Sequence, residues 1–469
     1  MKNSVAFQSI ASFTAWEALH FRKWLLSTVH NTRPELAGLF DYLRECTLRQ
    51  EVMPEPEKAF QKVFTGQSFD EKKMRHALSW LMAQIKAFFI WQELQNDVHQ
   101  SNRYVVRAFR KRGLASGFRQ AMEDAKSQLK KSKTIDLEAP LVAFHVEMED
   151  FQWNLAQKRS QEIQFDLLAD HLTAYFTTQM LRLGYMYRTQ QALQKQSPAA
   201  LPRLETVLRA FPPENQRDSP QIALHYVGYQ LLSNPYEDHW LLQFRQLLAQ
   251  YGSQFSPDEA RDHLMLAINH CIRRINQGQR QFIPEVLTFY ELGLENLWLL
   301  DERGFLAKYT YNNVLLTIIA QQDWQKAESF LERYRAQLPP VERTTVYDYN
   351  KAVLLFRKGD YDGAQSILRS LAFADPTYNL EARRMLLRIY FENNEYDALD
   401  SLLDNLMTWL RRHGEIGYQR EMYRNLARFT GKLLKIPAGE KKKLQDLAQK
   451  IKDTPLVADR AWLLKQLPG

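Results

Sequence analysis

Three clusters of titratable residues invite a chemical reading, and spacing argues against each. Glu17-Ala-Leu-His20 has the carboxylate-to-imidazole step of di-iron bundles, but such a site takes two of these motifs and two further glutamates, and one motif is present. His263 and His270 share a helical segment with Asp262 and Cys271. Seven residues bring the imidazoles to nearly one face yet about 10 Å apart, too far for one ion held by bonds of about 2.0 to 2.1 Å. His145-Val-Glu147-Met-Glu149-Asp150 is an acidic patch with no second cluster to complete a hydrolytic site. No Walker loop or dinucleotide fingerprint occurs: Gly113 and Gly117 flank Leu-Ala-Ser with no strand before them. Cys46 and Cys271, the only cysteines, are too distant in sequence to build a disulfide framework or a thiolate metal site. These readings assign no catalytic, cofactor or metal residue and predict a protein that is not an enzyme.

Charge is the chemistry that remains. The chain carries a net +8, and its distribution is uneven. Between Ser101 and Lys133 ten basic residues face two acids, and between Arg420 and Lys452 ten face three, so the rest of the chain is net acidic. Arg103, Arg107, Arg110 and Lys111 recur at steps of three or four, interleaved with Tyr104 and Phe109. On a helix they form a stripe that could lie along phosphates. With Arg112 they are the candidate anion surface, and the alternative function is that of a nucleic-acid-associated or transcription-regulatory factor using the 101–133 helix.

The elements that must position these residues are helices throughout. Nearly every segment repeats at about 3.6 residues, and no alternating run bounded by turn signals occurs. Helices are expected near 13–30, 34–48, 54–64, 69–96, 99–131, 137–159 and 161–196. Met74, Leu78, Leu81, Ile85, Phe88 and Phe89 form the apolar stripe of the fourth. The breakers from Ser197-Pro198 to Ser219-Pro220 mark a linker, 198–218. After it the turns become regular: Ser219-Pro220 and Ser256-Pro257 each offer a capping hydroxyl with proline at the first helical position, and Glu259 completes a capping box. The predicted organisation is a domain of long helices over 1–197, the linker, degenerate helical hairpins over 219–308, regular repeats over 309–411 and capping helices over 412–469. The 45% apolar and 25% charged composition is that of a folded chain. The start of the chain lacks the continuous apolar run of a secretory signal, and Val314–Ala320 is far short of the roughly 20 residues that span a bilayer. With so few cysteines, a cytoplasmic location without membrane insertion is expected.

The regular repeats are visible in a turn that occurs three times: Gln322-Asp323-Trp324-Gln325-Lys326-Ala327, Gly359-Asp360-Tyr361-Asp362-Gly363-Ala364 and Asn394-Glu395-Tyr396-Asp397-Ala398-Leu399. The aromatic residues are 37 and 35 positions apart, a period of stacked helical hairpins. The middle unit has Ala352 at a small slot, Gly359, Tyr361, Ala364 and Pro376; the preceding one has Trp324, Ala327 and Pro339 but Leu315 at the small slot; the following one has Tyr396 with Leu386 and Leu399 in place of small residues. Residues 309–411 thus resemble the tetratricopeptide repeat family. The resemblance implies an α-solenoid whose first helices line a concave groove for an extended peptide. Carried onto this sequence, the groove-facing positions hold Tyr309, Asn312, Asn313, Tyr349, Asn350, Arg384 and Arg388, with the asparagines as backbone clamps and the two arginines, one turn apart, suited to a carboxylate or phosphate. The aromatic of each turn is expected in the core between hairpins, so that Tyr361→Ala would cost about 3 to 5 kcal/mol.

Upstream, residues 57–86, with Phe60, Phe64, Met74, Leu78 and Leu81 apolar and Lys72, Lys73, Arg75 and His76 polar, are similar to the helix-turn-helix of winged-helix regulators, although the second helix runs on through Phe88-Phe89-Ile90-Trp91 where a wing should follow. The favoured expectation is an all-α protein, an N-terminal bundle followed by tetratricopeptide-like hairpins. It would act as a non-enzymatic adaptor or scaffold whose groove binds a protein or acidic peptide.

Overall fold

The computed structural model describes residues 4–49, 54–131, 134–157, 165–193, 201–210, 219–371, 375–413, 417–437 and 439–467. Among them the protein is all-α: 23 α-helices, one 3-10 turn and a single isolated antiparallel bridge, Leu300 with Leu306, with no strand. Two compact units result, Met1–Met180 and Leu181–Gly469, dividing within one long helix.

The first unit contains α1 (Val5–Ser12), α2 (Ala15–Leu26), α3 (Leu36–Leu48), α4 (Pro56–Gln61), α5 (Glu71–Asn96), α6 (Val98–Lys111), α7 (Ala115–Lys131), α8 (Ala139–Ala156) and the first part of α9 (Phe165–Leu193). Asp70 starts α5 by accepting hydrogen bonds from the Lys72 and Lys73 amides. The apolar stripe of α5 then buries Met74, Leu81, Ile85 and Phe88, with Leu78 and Phe89 partly buried, against a cluster of aromatic rings from α2, α3 and α4. In it Phe21 meets Phe40 edge-on at 5.0 Å and Phe13 at 5.4 Å, the offset geometry that ring quadrupoles favour. A second, smaller core joins α6, α7 and α8 through Val106, Phe118, Met122, Val142, Val146 and Trp153.

The continuous basic helix expected over 99–131 is two helices. Gly113 adopts φ +68, a conformation without a Cβ penalty only for glycine, and the chain reverses there so that α6 and α7 pack on each other. Gly117 completes the joint, because a Cβ there would lie 2.6 Å from the Phe109 ring. The ends of the segments expected over 137–159 and 161–196, and Lys133, fall outside the described residues.

The second unit holds the rest of α9 and α10 (Leu204–Ala210), α11 (Pro220–Ser233), α12 (Asp238–Tyr251), α13 (Pro257–Asn276), α14 (Phe282–Glu295), α15 (Lys308–Ala320), α16 (Trp324–Arg333), α17 (Arg343–Lys358), α18 (Tyr361–Ser370), α19 (Pro376–Glu392), α20 (Tyr396–Arg412), α21 (Tyr418–Lys435), α22 (Lys441–Asp453) and α23 (Arg460–Lys465). Helix α10 lies inside the stretch read as a linker and buries Leu204 completely; residues 198–200 and 211–218 of that stretch are outside the described set. From α11 to α20 each helix packs on the next, as the hairpins α11/α12, α13/α14, α15/α16, α17/α18 and α19/α20. Ser256 caps α13 by accepting from the Glu259 amide at 3.3 Å. Ser219 occupies the cap position of α11 without capping: its hydroxyl makes no hydrogen bond, so only Pro220 at the first helical position follows the expected pattern.

The three recurrent turns share one backbone geometry. Gln322, Gly359 and Asn394 all take positive φ, +60, +87 and +58, and Asp323 and Asp360 then cap the second helix by accepting from the Lys326 and Gly363 amides. The small-residue positions Ala327, Ala352 and Ala364, and Leu399, are fully buried. The aromatic residues are not in the core. They occupy the first helical position, at the rim of the hairpin, where Trp324 and Tyr361 are half-buried and Tyr396 is 48% exposed. A first-turn side chain points back over the cap and not into the helix pair, which is why the expected core role fails for these rings.

Candidate functional site

Helices α15, α17 and α19 bring most of the predicted groove residues to one neighbourhood. Tyr309, 52% exposed, donates its hydroxyl hydrogen to Asp375 at 2.7 Å and faces the Tyr378 ring at 6.0 Å. Lys308 bridges Glu342 and Asp375 at 3.2 Å each. Tyr378 meets Tyr349 edge-on at 4.5 Å. Burial pushes the Tyr349 and Tyr378 phenols well above their ordinary range, with Glu381 adding to it at Tyr349 and Tyr309 at Tyr378. Both remain neutral hydrogen-bonding groups at physiological pH.

The asparagines divide differently. Asn313 is exposed, whereas Asn312 is half-buried with an unpartnered Oδ1. Asn350 is fully buried, its amide donating to the Val346 carbonyl one turn earlier at 2.8 Å. It therefore cannot clamp a peptide at a surface. Tyr349 is likewise buried, so the predicted groove positions that are exposed are Tyr309 and Asn313, the latter hydrogen-bonded to Tyr290 of α14.

Arg384 and Arg388 stand one turn apart, as the spacing requires, and they already hold a carboxylate. Arg384 donates through Nη1 to Asp459 Oδ2 at 2.8 Å and through Nε to Glu381 at 2.9 Å; Arg388 approaches the same Asp459 oxygen at 3.6 Å. Tyr423 donates to the other Glu381 oxygen. The Arg388 guanidinium lies 4.9 Å from the centroid of Phe356 and 5.5 Å from that of Trp462, and Trp462 is pinned by a 2.7 Å hydrogen bond to Glu392. Burial works against the charge of Arg384, but Glu381 and then Asp459 outweigh it and raise its pKa. Arg357, beside the pair, has its pKa lowered by desolvation and by Arg384 and Arg388. Arg384 and Arg388 thus share two carboxylates, with Arg357 close enough to feel both.

Asp459, Trp462, Glu381 and Tyr423 were not singled out in the sequence. Asp459 lies 75 residues after Arg384 in a segment without a motif. Its one local signature is a φ of +47, invisible in the letters.

In the first unit, two of the five candidate anion residues, Arg107 and Arg110, lie against an acid of the protein itself. Arg110 forms a close ion pair with Glu149 of α8, Arg107 lies 3.9 Å from the same carboxylate, and Lys126 of α7 pairs with Glu147 at 2.9 Å. Arg103 is half-buried beside Tyr104 and bonds Gln100, Arg112 bonds the Ala108 carbonyl, and Lys111 and Arg112 are exposed. The acidic patch 145–150 is the partner of the basic stripe.

His263 pairs not with His270 but with His225 of α11, ring centroids 4.7 Å apart, while His270 packs on Phe282. Among the described residues no group of three His, Cys, Asp or Glu converges as metal ligands would, and no helix is long and apolar enough to cross a membrane. Comparison of the chain with protein-family models, with curated protein sequences and with solved structures finds no match.

Proposed function

We propose that this protein is a non-enzymatic adaptor whose tetratricopeptide-like hairpins, α15 to α20, stack as a solenoid and hold an acidic segment of a partner protein against the face of α15, α17 and α19. The observation that supports this reading is the grip of Arg384 and Arg388 on Asp459: the pair binds a carboxylate with a bulky apolar neighbour, Trp462. The chain's own C-terminal segment is thus the first occupant of that position. A partner engages the exposed Tyr309 and Asn313 and presents its own acid in place of Asp459. The free cysteines, both buried, fit a reducing cytoplasm.

The test compares affinity capture from the native host by the wild-type chain, by Tyr309→Ala/Asn313→Ala and by Asp459→Asn/Trp462→Ala. Partners of the groove are expected to be lost from the first variant and enriched on the second. An identical set of partners in similar amounts on all three proteins rules the groove out.

A further inference from the structure

On a different side of α19 from Arg384 lies a second cation that no carboxylate among the described residues answers. Arg383, one position earlier and about 100° around the helix, makes no hydrogen bond or ion pair with any described residue; its Nη1 is buried and unpartnered. Burial alone pulls the pKa of its guanidinium below the ordinary value, yet the group stays charged at neutral pH. One turn before it, the Asn379 Oδ1 is also buried without a partner. A half-buried cation with its Nη1 buried and open, and a buried open acceptor a turn before it, oppose folding, and both residues line a cavity.

That cavity, about 500 Å³, opens between α19 and α20 at the end of α18, a size in the range of about 300 to 1,000 Å³ that holds small ligands. Its described lining includes Arg369, Arg383 and Arg412 and no carboxylate. Arg369 is answered by Glu395 at 3.0 Å from outside the lining, which leaves Arg383 at the wall and Arg412 at the rim. Leu386 and Leu402 add apolar lining, and the Trp409 ring, its centroid 5.6 Å from the Arg383 guanidinium, lines the cavity as well.

We propose that this cavity is a binding site for a carboxylate with an adjacent N–H donor and an apolar side chain, the chemistry of a peptide chain end or of an apolar amino acid. The carboxylate pairs with Arg383 and is steered by Arg412, the N–H donates to Asn379 Oδ1, and the side chain lies against Leu386, Leu402 and the Trp409 edge. Charge-assisted pairing supplies the anchor, and the unpartnered acceptor selects against plain anions. The site does not depend on the groove, since Asp459 and Arg384 take no part in it.

Isothermal titration calorimetry on the full chain tests it, with N-acetyl-L-leucine, N-acetyl-L-leucinamide, L-leucine, the peptide acetyl-Gly-Gly-Leu with a free carboxylate, and inorganic phosphate. Saturable binding of at least one leucine carboxylate is expected, at least tenfold weaker for the amide, and at least tenfold weaker for Arg383→Gln than for wild type. Asn379→Leu should also lose affinity for the leucine ligands. Tighter binding of the peptide than of L-leucine identifies the source as a chain end, and the reverse order identifies a free amino acid. Because Arg383 gives up only its contact with the Trp409 ring and no hydrogen bond or ion pair among the described residues, Arg383→Gln is expected to melt close to the wild-type temperature, which separates lost binding from lost fold; Arg412→Gln, at the rim, should weaken binding by a smaller factor. Absence of saturable binding by every carboxylate, equal affinity for the amide, equal affinity for phosphate, or unchanged affinity in Arg383→Gln each overturns the proposal.

Discussion

Asp459 stands at the head of α23, yet its carboxylate does not cap that helix; it turns away to receive Arg384 at 2.8 Å. The residue adopts φ +47 to do so, a conformation that asparagine and aspartate tolerate better than other side chains with a Cβ. Asp459→Asn keeps that tolerance and removes the charge. With Glu381 still present the loss is expected to be about 2 to 3 kcal/mol, confined to the C-terminal segment. Hydrogen exchange should show lost protection around Trp462 while α11 to α16 are unchanged. Unaltered exchange in α23 would mean that the ion pair does not hold the helix.

The recurrent turns give a second expectation, opposite to that drawn from the letters alone. Tyr396 is half-exposed and contacts chiefly its own turn, donating to Asn394 at 2.5 Å, so Tyr396→Ala should cost about 1 kcal/mol. Ala352 is fully buried at a helix crossing, and Ala352→Leu should cost about 1 to 3 kcal/mol by overpacking. Urea denaturation of the two variants settles the order; a larger loss for Tyr396→Ala restores the core reading of the aromatic.

These contrasts show what was legible and why. Gly359 and Asp360 do local work, a left-handed residue and a cap, so their letters reveal the turn and with it the helical hairpin; Met74, Leu81, Ile85 and Phe88 reveal the buried face of α5 because helical period and burial coincide. The break at Gly113 was masked because charge runs unbroken across it, and a lone glycine inside a helical pattern is compatible with helix. The occupant of the arginine pair was illegible for a different reason. Asp459 reaches Arg384 across 75 residues, and no local preference encodes a partner at that distance. Tyr349 and Asn350 were misplaced on the exposed face because the frame carried from the repeats gives register along the helix but not the depth at which neighbouring helices bury it.

Acid should destabilise the second unit through His225. Its Nδ1–H donates to the Gln221 carbonyl at 2.7 Å, and its ring lies against His263, with Tyr185 nearby. Desolvation lowers its pKa to about 4, opposed by the Gln221 bond and helped by Arg182. The unfolded chain therefore takes up this proton first: stability is complete above about pH 6.5, falls as pH drops and levels off below about 4, by about 3 kcal/mol for this group. His270, also lowered to about 4, and His263, which burial holds well below its ordinary range, act in the same direction. Denaturation midpoints at pH 7.0 and 4.5 should converge more closely in His225→Phe than in wild type. An identical acid loss in both proteins removes His225 from the account.

Arg274 offers a larger effect in the same unit. Its side chain is nearly buried, paired with Asp238 at 3.0 Å, bonded to the Pro235 carbonyl and the Gln279 amide oxygen, and set 4.5 Å from the Phe282 ring centroid. Arg274→Ala removes a charge network and a packing surface together and should cost about 3 to 5 kcal/mol. A chemical melt showing a loss under about 1 kcal/mol would make the network incidental.

The basic stripe of α6 can be divided by experiment. If Arg110 serves Glu149, then Arg110→Met leaves a nearly buried carboxylate to Arg107 alone, 3.9 Å away, and should lower the stability of the first unit by about 2 to 3 kcal/mol. Its salt concentration of elution from heparin should not change. Lys111→Ala with Arg112→Ala touches no ion pair and should leave the melting temperature unmoved, while any electrostatic hold on a polyanion should weaken in that variant, lowering the salt slope by about one per contact removed. Arg110→Met that melts like wild type but elutes from heparin at lower salt assigns the whole stripe, Arg110 included, to anion contact.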